Sequence, residues 1–195
     1  MTIAEYLQKT QHAAKVLLDG FTVEWKVHKA EVIAYNQKVD DFKNLETQFH
    51  EQGNGDRLLE LQIGAWEGVL NSFYKTNAYH MDRLEKIPST SIMCGALLQI
   101  AKQGLSMVHG MKQNVPGGRA IGLTTLRDVI WEGRNQAMHF EEGNFKSSCV
   151  QCFSALQTLH GARFSLTQGK NLATYVVDAL GWHTLSAYEA DMLSL

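Results

Sequence analysis

Residues 126–143 read L-R-D-V-I-W-E-G-R-N-Q-A-M-H-F-E-E-G. At about 100° per residue with Leu126 at zero, Val129, Ile130, Gly133, Ala137 and Phe140 all fall within about 60° of it. An apolar stripe of that period predicts a helix over about 123–141 with one buried face. Asp128, Glu132, Asn135 and His139 share the opposite face, and Arg127 lies beside Arg134 on one flank.

The same period extends outward in both directions. Upstream, N-V-P-G-G-R-A-I-G at 114–122 is the clearest interior loop. Before it, Ile92, Ala96, Leu97, Ile100 and Val108 predict a helix capped by Ser89, Thr90 or Ser91 and running to about Lys112. Leu59, Ile63, Trp66, Leu70, Phe73, Asn77, His80 and Leu84 recur at steps of four and three, predicting a helix of about 30 residues that ends at Pro88. The turn G-N-G-D at 53–56 separates it from a stripe of Val32, Tyr35, Val39, Phe42 and Phe49 within 28–51. A first amphipathic segment over 3–18 is expected to break at Gly20. Downstream, E-G-N at 142–144 interrupts the pattern, a helix follows over 146–164, and two short helices are split by Gly181.

Two prolines in 195 residues suit helices better than a many-turned β fold. No internal repeat, low-complexity tract or linker divides the chain. The expected architecture is one all-α domain over 1–195, a bundle of five main helices with a short C-terminal pair.

With 45% apolar and 19% charged residues, the chain is too apolar for disorder, and no run approaches the ~18 apolar residues of a membrane span. The N-terminus interleaves Glu5, Lys9, His12, Lys15 and Asp19 with its apolar residues, so a cytoplasmic protein is expected. Three cysteines suit a reducing compartment better than a disulfide framework. A net charge of −2 excludes wholesale coating of nucleic acid. The charge is unevenly spread, with 9 Lys/Arg against 13 Asp/Glu in residues 1–85 but 9 against 4 in residues 86–177. The basic middle permits a local anionic ligand.

Several patterns are set aside. Cys149-Val-Gln-Cys152 lacks the two further ligands of a structural zinc site, and both cysteines read as semi-buried helix residues. The pairing of His139-Phe140-Glu141 with that C-x-x-C imitates a zinc deaminase signature, but Ser148 stands where proline is needed and the strands are absent. Gly117-Gly118-Arg119 reads as a turn rather than an anion nest. The other histidines show no metal-ligand spacing, and the four tryptophans do not form a stacking platform.

What remains is Arg134-Asn135-x-x-x-His139, with Gly133 before it to admit a close neighbour. This resembles the R-x4-6-H motif of the HEPN superfamily, all-α domains often found as ribonucleases of toxin and defence systems, in which the residue after the arginine is often Asn. The resemblance implies a metal-independent endoribonuclease that needs no cofactor and leaves 2′,3′-cyclic phosphate and 5′-hydroxyl ends. His139 would move a proton, Arg134 would stabilise phosphoryl charge, and Asn135 would orient the phosphate or the histidine. It also implies a two-fold homodimer, because residues five apart on a helix point about 140° apart. Lys112, Arg119 and Arg127 become candidates for holding RNA phosphates, and an antitoxin or regulatory protein a candidate partner. Glu141 stands where some family members carry a modified tyrosine, which counts against that mode of control. Glu141 and Glu142 could also orient His139. The alternative is a non-catalytic helical bundle that binds a nucleotide, nucleic acid or protein.

Overall fold

The structure, a computed structural model, describes residues 1–52 and 88–195, together with Gly64 and Gly68. It is an all-α helical bundle. Apart from Gly64 and Gly68, which are helical, the expected helix of about 30 residues ending at Pro88, with Trp66 and His80, lies outside the described residues. So do the side chains of Val32, Tyr35, Phe42 and Phe49.

The described helices are α1 (Ile3–Gln52), α2 (Pro88–His109), α3 (Leu126–His139), α4 (Ser147–His160), α5 (Ala173–Leu180) and α6 (Leu185–Leu193). Contacts gather them into two compact units, Met1–Val23 with Ile87–Leu195, and Glu24–Lys86. In the second unit the described part is the α1 stretch to Gln52, with Gly64 and Gly68, and Lys29 lies 4.6 Å from the Trp25 ring centre.

In the first unit, α1 buries Tyr6, Leu7, Ala14, Leu18 and Phe21. The expected break at Gly20 does not occur, because α1 runs through it. A Cβ on Gly20 would lie 2.6 Å from the Met93 sulfur, so the glycine admits α2 rather than ending a helix. That close approach offsets the roughly 1 kcal/mol a glycine costs inside a helix. Tyr6 packs on Gly104 of α2 and its hydroxyl donates to the Ile100 carbonyl at 2.8 Å.

Helix α2 is central, packing against both α3 and α5 through fully buried Leu97, Leu98, Ala101 and Leu105. Pro88 is its first residue, where a fixed φ and a missing N–H are tolerated, so the expected serine and threonine caps lie inside the helix instead. Gly110 ends it at φ 76°, earlier than Lys112, which begins a short 3-10 turn. The loop at 114–122 leads into a small hairpin in which Ala120 pairs with Thr125 and Ile121 with Thr124.

Helix α3 packs against α2, α4 and α5. Its stripe is buried at Leu126, Val129, Ile130, Gly133 and Ala137, and half-buried at Phe140. The neighbour admitted by Gly133 is the Val176 side chain of α5, 2.7 Å from where a Cβ would stand. Gly181 separates α5 from α6 as expected, and fully buried Trp182 follows it, edge-on to Tyr188 at 4.9 Å.

Candidate functional site

Helix α3 begins where Thr125 caps it, its hydroxyl oxygen accepting from the Asp128 N–H at 3.3 Å and its O–H donating to the Asp128 carboxylate at 2.5 Å. It ends at His139, and a 3-10 turn over Phe140–Glu142 folds the chain back. That turn brings Glu142 to His139, with Glu142 Oε1 2.6 Å from Nδ1. Glu142, not Glu141, is therefore the carboxylate that orients the imidazole. Both side chains remain open to solvent, His139 at 49% and Glu142 at 64% exposure.

Arg134 points to the opposite flank, as the 140° offset requires. Its Nε donates to Gln99 Oε1 of α2 at 2.6 Å and its Nη1 to Asn135 Oδ1 at 3.3 Å. The Asn135 amide nitrogen donates in turn to Glu132 Oε2 at 3.0 Å. Glu132 is buried, only 2% exposed, although the helical wheel assigns it to the polar face. Lys112 donates to it at 2.5 Å and also pairs with Asp128 at 3.0 Å. Burial favours the neutral form of Lys112, but hydrogen bonds to Glu132 and Asp128 outweigh it and hold the ammonium above its ordinary pKa. For Asp128, burial acts upward, while Thr125, Lys112 and Arg127 together pull the carboxyl below its ordinary value.

Between α3, the following turn and the start of α4 lies a cavity of about 280 Å³. Glu132, Asn135, His139, Glu142, Phe145 and Lys146 line it. Asn135 and His139 thus share one wall, and Arg134 is not on it. A second cavity of about 240 Å³ is lined by Lys112, Thr125, Asp128 and Cys152.

The three cations expected to hold RNA phosphates all face internal partners. Lys112 bridges Asp128 and Glu132. Arg127 donates to the Val115 carbonyl at 2.9 Å and pairs with Asp128 at 3.3 Å. Arg119 grips Asp191 through Nε and Nη2, both at 2.8 Å, and Nη2 also donates to the Leu180 carbonyl. Cys149 and Cys152 are buried free thiols on α4, pushed by burial up to about 12 and about 11. They are protonated packing residues at neutral pH, as expected.

Sequence reasoning passed over Glu132, Gln99 and Lys146. Glu132 stands at about 240° on the wheel, about 60° outside the apolar arc and close to exposed His139, so the wheel carries no signal that marks it. No local signal points to Gln99, whose role depends on α2 meeting α3. Lys146 follows the break that ends the motif helix, where the chain returns past His139.

The fold and site define an all-α protein with a polar-walled cavity at the C-terminal end of its third described helix. No family model, curated protein or solved structure matches the chain. Among the described residues no helix is long and apolar enough to cross a membrane.

Proposed function

We propose that this chain is a metal-independent endoribonuclease of the HEPN type, a cytoplasmic homodimer working as a toxin or defence effector under an antitoxin or other regulatory protein. The observation that supports this reading is the His139–Glu142 pair beside Asn135 on the wall of an open cavity. An ionised carboxylate only accepts, so Glu142 draws the proton to Nδ1 and leaves the Nε2 lone pair for a substrate proton. Among the described residues Nε2 has no protein partner.

In the proposed reaction His139 takes the ribose 2′-OH proton as the O2′–P bond forms. The P–O5′ bond breaks, and the leaving oxygen is protonated by the imidazolium of a second copy or by solvent. Arg134 keeps N–H groups not used by Gln99 or Asn135, and these suit the equatorial phosphoryl oxygens. A two-fold pairing of motif helices supplies what the 140° offset denies a single chain, an arginine and a histidine facing one phosphate. Single-stranded RNA is the suitable substrate, since in-line attack needs a flexible backbone. The binding-module alternative draws on one observation, that Lys112, Arg119 and Arg127, the cations an RNA substrate would use, each already pair with a carboxylate of the chain.

The test is cleavage of a mixed-sequence RNA in EDTA by wild type, Arg134→Ala and His139→Ala, with fragment ends identified. Wild type should release cyclic-phosphate ends, and each variant should lose about 100-fold or more of the rate. Absence of cleavage by wild type, or equal cleavage by both variants, would favour the binding module.

A further inference from the structure

We propose that Glu132 and Lys112 are positioning residues for the motif, fixing which way the Asn135 amide faces and, through that amide, where the Arg134 guanidinium is held. The functional meaning of this rests on the ribonuclease reading, whereas the relay itself stands on geometry.

Four bonds run in series. Lys112 Nζ donates to Glu132 Oε1, and Asn135 Nδ2 donates to Glu132 Oε2. Arg134 Nη1 donates to Asn135 Oδ1, and Arg134 Nε donates to Gln99 Oε1. A primary amide has a donor end and an acceptor end, and a carboxylate can only accept. Glu132 therefore compels Asn135 to present NH2 to it and to turn its oxygen the other way, toward Arg134. With the amide reversed, NH2 would face a guanidinium that has only donors. The Glu132 side chain is 3% exposed, so it needs an opposite charge within reach, and Lys112 from the turn before the hairpin provides it. Asp128 pairs with the same lysine and keeps it in place from the first turn of α3.

The chain can be broken without removing bulk. In Glu132→Gln the new carboxamide has one oxygen, while Lys112 and Asn135 both seek an acceptor, and its own NH2 must face one of them. Adding Lys112→Met removes the competing donor and frees that oxygen for Asn135. Asp128 retains Thr125 and Arg127 in this double variant.

The experiment follows the Arg134 Nε–H and Asn135 side-chain NH2 signals by NMR in wild type, Glu132→Gln and Glu132→Gln/Lys112→Met, alongside single-turnover cleavage of single-stranded RNA. Both signals should move in Glu132→Gln, with the cleavage rate down about 10- to 100-fold and RNA affinity little changed. The double variant should return both signals and bring the rate within about 3-fold of wild type. Signals unmoved in Glu132→Gln, or a double variant no better than the single, would overturn the proposal. If the signals respond as expected but wild type cuts no RNA, the relay holds and the ribonuclease reading falls.

Discussion

Two basic residues from the same short stretch of chain, Lys112 and Arg119, each meet a buried acid, yet the two networks end differently. Arg119 and Trp182 close around Asp191, which receives Arg119 Nε and Nη2 and the Trp182 indole N–H, each at 2.8 Å. Arg119 Nε and Nη2 and the Trp182 indole N–H all end on acceptors inside the protein, and the cluster ties the 114–122 loop to α6. The Lys112–Glu132 pair instead passes its order along Asn135 to Arg134, whose remaining N–H groups have no partner assigned by the relay. Its neighbour His139 faces a cavity. A network that closes on itself serves architecture, whereas one that delivers an oriented donor to an open surface can serve chemistry.

The largest expected effect on stability separates the two. Asp191→Ala leaves the buried Trp182 N–H without an acceptor and the Arg119 fork with only the Leu180 carbonyl, and should cost about 3 kcal/mol in denaturant unfolding. The Arg119 side chain is 45% exposed, so most of that loss falls on the indole and the buried carboxylate site. At a temperature where the variant stays folded, RNA cleavage per folded molecule should be unchanged. A large loss of cleavage at full folding would mean that the closed cluster reaches the site, and the contrast would break.

Next in size is Gly133→Ala, which probes the joint between the regions. Gly133 adjoins Glu132 in α3, and Val176 belongs to α5, which leads into Trp182. An added Cβ would stand 2.7 Å from Cγ1 of fully buried Val176, an overpacking expected to cost about 1–3 kcal/mol and to lower cleavage as α3 shifts. Gly20→Ala is the control. The Cβ there meets only the flexible end of Met93, and restored helix propensity offsets the push, so stability should change by less than about 1 kcal/mol.

These two glycines also mark how far the sequence can be read. Period and turn residues reveal the α3 stripe, the 114–122 loop and the short pair split at Gly181, because those features depend on neighbours in the chain. Gly20 carries the same letter as a helix breaker, but its reason lies across the fold in Met93. The site divides the same way. Arg134, Asn135 and His139 are legible as a spacing, whereas the burial of Glu132 depends on Lys112, twenty positions away. Likewise the solvated look of Arg119 is cancelled by Asp191, at a separation of 72. A sequence shows where charges are, and only packing shows which of them already have partners.

The last effect concerns pH and is read at Asp128 in the open network. Asp128 titrates below its ordinary 3.8 because Thr125, Lys112 and Arg127 outweigh its burial, so its ionised form is better held in the folded chain than in the unfolded one. The stability this adds is present above 3.8 and is lost as pH falls through the depressed folded value. Asp128→Asn abolishes that titration while keeping the side chain's size, so the two proteins should differ by about 1 kcal/mol at pH 7. The gap should narrow progressively as pH falls below 3.8 in denaturant unfolding, because protonated Asp128 has already lost what asparagine lacks. A gap that stays constant into acid would assign the contribution of Asp128 to its shape and its Thr125 cap, leaving Glu132 as the sole charge that Lys112 serves.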